Sequence, residues 1–144
     1  MRTIYTTLIL SLGLSPQAAF AAAPIKCPAE IQQSLVVIKA ISPGWTPHVA
    51  RPIYLHGAGA AAGPPDSDGQ LRPDDSSYAK GKTSWRVTYN LEGNFPRGKW
   101  LECSYGSLNQ IVLSRRLADE TSACTVSYRK GDKEGQNIVD VACR

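Results

Sequence analysis

The C-terminal stretch from Cys124 to Arg144 constrains the fold more than any other part of the sequence. Folded as an antiparallel hairpin, it has one apolar face and one mostly polar face, as expected for two strands with one side buried. The apolar pairs are Cys124 with Cys143, Val126 with Val141, and Tyr128 with Val139. The segment Lys130–Asn137 carries two glycines and supplies the turn. Because directly opposed residues lie within reach of a disulfide, the pattern predicts a cross-strand bridge between Cys124 and Cys143.

All four cysteines of the chain fit a disulfide framework. They are Cys27, Cys103, Cys124 and Cys143. An even set without C-x-x-C spacing, in a chain that is expected to be exported, favours disulfides over metal thiolates. Three connectivities are formally possible, and the hairpin geometry selects the one that leaves Cys27 to pair with Cys103.

The N-terminus has the features of a secretory signal peptide. Arg2 precedes the apolar run Leu8–Leu14, and small residues follow. This order of a positive region, a short apolar core and an A-x-A site predicts a signal peptide over residues 1–21. Cleavage is expected after Ala21, with Ala23 as the alternative, so we expect an exported protein.

The remaining residues, 22–144, have the length of a single domain. The chain has 16 Lys and Arg against 12 Asp and Glu, and its basic residues are scattered, so we expect no nucleic-acid partner. No later run approaches the roughly 20 apolar residues needed to cross a bilayer, so we expect no membrane span. The sequence leaves the oligomeric state open.

Apolar alternation and β-branched runs predict about seven strands and little helix. The strand patterns are Ser34–Ile41, Ile53–His56, Trp85–Asn90, Trp100–Tyr105, Leu108–Ser114 and the two arms of the terminal hairpin. A short helical turn is expected over Pro28–Gln33. Gly57–Lys82 has few large apolar residues and is predicted to be a long polar loop. The expected fold is all-β, mainly an antiparallel meander forming a small sandwich or open barrel, with two disulfides and at most one short helix.

A set of motifs extends over nearly all of the chain that follows the signal peptide. They are Cys27-Pro28, Pro43-Gly44-Trp45, Gly63-Pro64-Pro65, Trp85, Trp100–Tyr105 and the Cys124–Arg144 hairpin. Together they resemble a family of small exported four-cysteine proteins of Gram-negative bacteria. The resemblance implies a periplasmic β domain and transfers no catalytic residue.

Motifs that could hold a cofactor or a metal are incomplete. Gly57–Gly63 has the spacing of a dinucleotide loop, but Pro64-Pro65 would stop the helix that this mechanism needs. Asp66–Gly69 lacks the later ligands of a calcium loop. His48 and His56, with no cysteine to spare, make a poor zinc site. We therefore expect no metal, no cofactor and no catalytic residue.

Two function classes remain after these exclusions. The favoured class is a non-enzymatic binding module that acts on a protein partner, such as an inhibitor or an immunity-type protein. It is suggested by small size, export, disulfides and a long polar loop. The alternative is an envelope ligand-binding protein or cell-wall hydrolase. The candidate contacts with a partner are Trp45, Arg115, Arg116, Asp66 and Asp68.

The three tryptophans are expected to have different roles. Trp85 and Trp100 are predicted to pack in the core beside the disulfides. Trp45 lies between two prolines on a loop, which predicts an exposed anchor for a partner.

Overall fold

The computed structural model describes residues 24–74, 79–80 and 83–144, so the predicted signal peptide lies outside the described residues. The described part contains eight strands and two single-turn 3-10 helices. The strands are β1 (Glu30–Ile31), β2 (Ile53–Ala61), β3 (Ala79–Lys80), β4 (Ser84–Asn90), β5 (Trp100–Tyr105), β6 (Ile111–Arg116), β7 (Ala123–Lys130) and β8 (Asn137–Cys143). The 3-10 helices are Gln33–Leu35 and Pro65–Ser67. The predicted all-β class is confirmed.

The strands form two four-stranded antiparallel sheets around one hydrophobic core. The strand orders are β1-β2-β5-β6 and β3-β4-β7-β8. Consecutive strands pair in the β5–β6 and β7–β8 hairpins, whereas β2 pairs with β5 and β4 pairs with β7 across longer connections. The sheets meet where β2 lies against β8, which gives a half-barrel.

The terminal hairpin has the predicted register. Cys124 pairs with Cys143, and the two following apolar pairs of this face are also as predicted. The Cα atoms of the two cysteines are 4.1 Å apart, and the disulfide between them is formed. Cys27 and Cys103 form the second bridge, with Cα atoms 5.7 Å apart. Both predicted disulfides are confirmed.

The apolar face of β4 adds to the core made by the hairpin. Val87 and Tyr89 are buried and stand opposite Val126 and Cys124 of β7. Trp85 packs against the same core and stacks on Tyr128, with ring centroids 4.8 Å apart. Trp85 therefore contacts the core as expected, but it is half-buried and its ring stacks on Tyr128. Trp100 is also half-buried but differs, because it lines a surface cleft instead.

The strand predicted over Ser34–Ile41 is absent, and this prediction is wrong. A 3-10 turn at Gln33–Leu35 replaces its beginning, and Val37 is 74 % exposed. Two features explain the difference. The short strand β1 already pairs with β2 at the edge of the sheet, and Ala40 has φ 55°, which interrupts an extended backbone. Strand propensity alone does not form a strand without a pairing partner.

The loop predicted from Gly57 begins later, because β2 continues to Ala61. The small residues of β2 allow a close approach of the second sheet. A Cβ added at Gly59 would lie 3.1 Å from the hydroxyl oxygen of Tyr89, and the Tyr128 hydroxyl donates a hydrogen bond to the Ala58 carbonyl. The glycines and alanines therefore belong to a strand in contact with bulky tyrosines.

The strand predicted over Leu108–Ser114 is shifted toward the C-terminus. It begins at Ile111 and ends at Arg116, and Leu108 is 82 % exposed. Asn109 has φ 54° and donates its N–H to the Gly106 carbonyl, so a turn occupies the predicted beginning of the strand.

Candidate protein-binding site

A cleft of about 700 Å³ lies between the β4–β5 connection and the end of β6. We call it the basic cleft. Its lining consists of Gly93, Asn94, Phe95, Pro96, Arg97, Gly98, Lys99, Trp100, Arg116 and Asp119. Three of these side chains are cationic and one is anionic. The cleft therefore presents an excess of positive charge beside two aromatic rings.

A tight turn shapes the floor of the basic cleft. The N–H of Gly98 donates to the Phe95 carbonyl at 2.8 Å, with Pro96 second and Gly98 fourth, a pattern favoured in type I turns. Gly98 has φ 82°. A Cβ there would lie 3.0 Å from Nε of Arg116 and 3.4 Å from Nε1 of Trp100. Glycine therefore fits both the backbone conformation and the close approach of these two side chains.

Lys99 is a buried cation in the wall of the cleft. Only 6 % of the residue is exposed, and its Nζ donates to the carbonyls of Asp119 and Thr121 at 2.7 Å each. The ammonium also lies 5.5 Å from the centre of the Phe95 ring. Within residues 24–74, 79–80 and 83–144, no carboxylate lies within ion-pair distance of Lys99. Carbonyl dipoles thus hold this charge, which ties the β6–β7 connection to the cleft wall.

Arg97 and Arg116 lie at the mouth of the cleft with their charges open to solvent. Arg97 is 3.7 Å from Asp66, and Arg116 is 3.2 Å from Asp119. The arginine side chains are 56 % and 59 % exposed. Ion pairs this exposed contribute only about 0–1 kcal/mol each. Both guanidinium groups can therefore exchange these partners for an external anion at small cost.

The structure separates the two arginines that were predicted to act together. Arg116 stands opposite Trp100 in the β5–β6 ladder, whereas Arg115 stands opposite the buried Leu101. Since neighbouring residues of a strand point to opposite faces, only Arg116 reaches the basic cleft.

The other predicted contacts fall in different places. Asp66 reaches the edge of the basic cleft through Arg97. Asp68 is exposed with φ 50° at the end of the second 3-10 helix and does not line the cleft. Trp45 is 77 % exposed, far more than the half-buried Trp85 and Trp100.

Trp45 belongs to an exposed apolar segment, Leu35–Trp45. Within the described part of the chain, eight large hydrophobic residues are exposed, and five of them lie in this segment. They are Leu35, Val37, Ile38, Ile41 and Trp45. Such a concentration of exposed apolar side chains is typical of a surface that contacts another molecule.

Sequence reasoning missed the central residues of the basic cleft. Trp100 was predicted to pack in the core, and neither Arg97 nor Lys99 was among the predicted contacts with a partner. Their signal was nevertheless present, because two cations and two aromatic residues occur within Phe95–Trp100 around a turn.

Tyrosines of the core have shifted pKa values. Burial raises the pKa of Tyr89 and of Tyr105 to about 12. Burial also raises the pKa of Tyr128, although the hydrogen bond to the Ala58 carbonyl acts in the opposite direction and lowers it. These phenols face the protein interior and take no part in the basic cleft. Across the described residues, no group of three or more His, Cys, Asp or Glu side chains could hold a metal ion.

The fold and the cleft define a small, disulfide-bridged β domain with surfaces suited to binding another protein. A family model described as "Type VI secretion system Tli immunity protein" matches residues 50–144, more than half of the chain. The chain belongs to this family. It is an immunity-like binding module that acts on a protein partner, which confirms the function class favoured from the sequence.

The matched region contains β2 to β8 and the whole basic cleft. It begins at residue 50, after the exposed apolar segment Leu35–Trp45. Comparisons with curated proteins and with solved structures find no match. Of the helices that the structure describes, none has the length and apolar character required to span a membrane.

Proposed function

We propose that this protein is exported to the periplasm, where it binds a type VI secretion effector and blocks the effector's action without catalysing a reaction. Membership of the immunity family is the observation that carries this proposal. The location is supported by two formed disulfides, which persist in oxidising compartments, and by the leader-like pattern of residues 1–21.

Two surfaces are proposed to contact the effector. The first is the exposed apolar segment, in which Trp45 can bury a large ring with little loss of side-chain freedom. The second is the mouth of the basic cleft, formed by Arg97 and Arg116 with Asp66 at its edge. An apolar anchor combined with a charged rim is the usual composition of a specific protein interface.

The scaffold behind these surfaces favours binding because it is already ordered. The Cys27–Cys103 bridge joins the N-terminal segment to β5, and the hairpin of β7 and β8 carries its own bridge. A surface fixed before association loses less conformational entropy when the complex forms.

The proposal is tested by competition between bacteria. A strain that carries the type VI system but lacks this protein should be killed by its parent, and not by a parent whose secretion system is inactivated. The full chain should restore survival. If the deletion strain survives the active parent as well as the inactive one, the immunity role is wrong.

The location is tested with two further variants of the chain in the same competition. A chain with residues 1–23 removed should give no protection, whereas the same chain behind an unrelated cleavable leader should protect fully. Full protection by the leaderless chain would contradict action in the periplasm and leave the immunity role standing.

A further inference from the structure

Two features distinguish the basic cleft from an ordinary surface turn. Gly98 leaves room for Arg116 and Trp100 to lie side by side over the turn. Lys99 is buried behind them on carbonyl oxygens rather than on a carboxylate of the described chain. A buried cation costs desolvation energy, and a solvated surface turn has no need for one.

The charges of the cleft favour an anion. The cleft is lined by three cationic side chains and one carboxylate. The cations are Arg97, Lys99 and Arg116, and the carboxylate is that of Asp119. Even when Asp66 is added as the partner of Arg97, three positive charges oppose two negative ones. Because Lys99 is shielded from solvent, its field is screened less than that of a surface lysine.

The size and shape of the cleft favour a side chain over a free ion. A volume of about 700 Å³ exceeds the requirement of a small inorganic anion. The rings of Phe95 and Trp100 provide apolar faces beside the guanidinium of Arg116. A carboxylate carried on an apolar stem, or beside an aromatic residue, matches both features.

We propose that the basic cleft is the specificity site for the effector and that it binds an Asp or Glu side chain flanked by an apolar residue. This inference rests on the proposed function, since it takes the partner to be the effector. Arg116 forms the main contact, because planar guanidinium groups bind carboxylates through two parallel hydrogen bonds. Arg97 contributes a second charge, and Trp100 packs against the apolar stem.

One experiment measures binding directly. The oxidised protein is titrated with acetyl-Glu-Phe-amide, or with acetyl-Gln-Phe-amide as an uncharged control, while the indole N–H signals of the three tryptophans are followed by NMR. The Trp100 signal should move with the Glu peptide, because its Nε1 donates to the Arg97 carbonyl at 3.0 Å in the cleft. The Trp85 signal should stay in place. Equal shifts with both peptides, or no shift of Trp100, would overturn the proposal.

The second experiment uses the competition assay with matched charge reversals. Arg116→Glu should abolish protection and weaken effector binding about tenfold or more, whereas Arg116→Lys should retain part of both. Arg115→Glu is the control, because it makes the same change at the neighbouring position on the opposite face. Thermal unfolding should show that all three variants are folded.

The outcomes separate the two proposals. If the wild-type chain gives no protection, the proposed function fails. If the wild-type chain protects and Arg116→Glu protects equally well, only the cleft inference fails. It also fails if Arg115→Glu is as harmful as Arg116→Glu, since overall charge would then explain the loss. A third outcome would assign the cleft to lipid phosphate instead. In that case the wild-type protein binds phosphatidylglycerol vesicles, Arg116→Glu abolishes this binding, and the variant still protects.

Discussion

Removal of either disulfide should destabilise the protein, and the two losses should differ in a defined direction. Cys27 and Cys103 are separated by 76 residues, and Cys124 and Cys143 by 19. In the chain-entropy description, a bridge stabilises the fold by restricting the unfolded chain, and the effect grows with loop length. The perturbation is replacement of each pair by alanines in an otherwise unchanged chain.

The expected magnitudes follow from the two loop lengths. The Cys27–Cys103 bridge contributes about 4.5 kcal/mol and the Cys124–Cys143 bridge about 3 kcal/mol. Both variants replace two cysteines with two alanines, so the difference between them measures the effect of loop length. The separations of 76 and 19 residues differ fourfold, so the difference is (3/2)RT ln 4, or about 1.2 kcal/mol.

Urea unfolding of the two paired variants and the oxidised wild-type protein measures these losses. Mass spectrometry of a non-reduced digest confirms the remaining bridge in each variant. The Cys27→Ala/Cys103→Ala variant should be the less stable of the two. If the Cys124→Ala/Cys143→Ala variant proves less stable, restriction of the unfolded chain does not govern the effect. Native packing around the buried Cys124 would then be the larger contribution.

Two further predictions concern the contact between the sheets. Burial raises the pKa of Tyr89 and Tyr105 from 10.0 to about 12. The stability due to their neutral forms is complete below pH 10 and declines as the pH rises through the folded-state pKa of about 12. At pH 12 the loss is no more than about 2 kcal/mol for each group. Urea unfolding between pH 8 and 12, with tyrosinate absorbance as a second readout, would contradict this if stability stayed constant. Separately, Gly59→Val should cost about 1–3 kcal/mol, since its Cβ would meet the Tyr89 hydroxyl, while the exposed Ala142→Val should change stability by less than about 0.5 kcal/mol.

The terminal hairpin shows what a sequence can predict alone. Its alternation fixes which side chains share a face, because a slip of one residue would move every apolar side chain to the solvent side. Several registers keep the apolar side chains on one face, and the pairing of the two cysteines selects one of them. The observed pairs from Cys124–Cys143 to Lys130–Asn137 follow that register throughout.

The basic cleft was not predictable in the same way, because it depends on contacts between distant segments. Arg116 comes from β6, Lys99 from the approach to β5, and the carbonyls that hold Lys99 from the β6–β7 connection. Periodicity assigns faces within one element. Periodicity does not show that the Phe95–Gly98 turn lies beside the end of β6, which comes later in the chain.

The misread segment Gly57–Ala61 connects the core to this site. Tyr89 and Tyr128 extend from the second sheet onto β2, and only small residues there leave room for them. The glycines and alanines of this segment suggest a loop when the segment is considered alone. In the fold they are the residues that a strand packed against two tyrosines requires. The same strand ends with Ala61 opposite Trp100, and the Ala62 N–H donates to the Gly69 carbonyl at 2.7 Å. This bond closes the Ala62–Gly69 loop at the end of β2, which brings Asp66 to Arg97. Substitutions that displace β2 should therefore disturb the mouth of the basic cleft as well as the core.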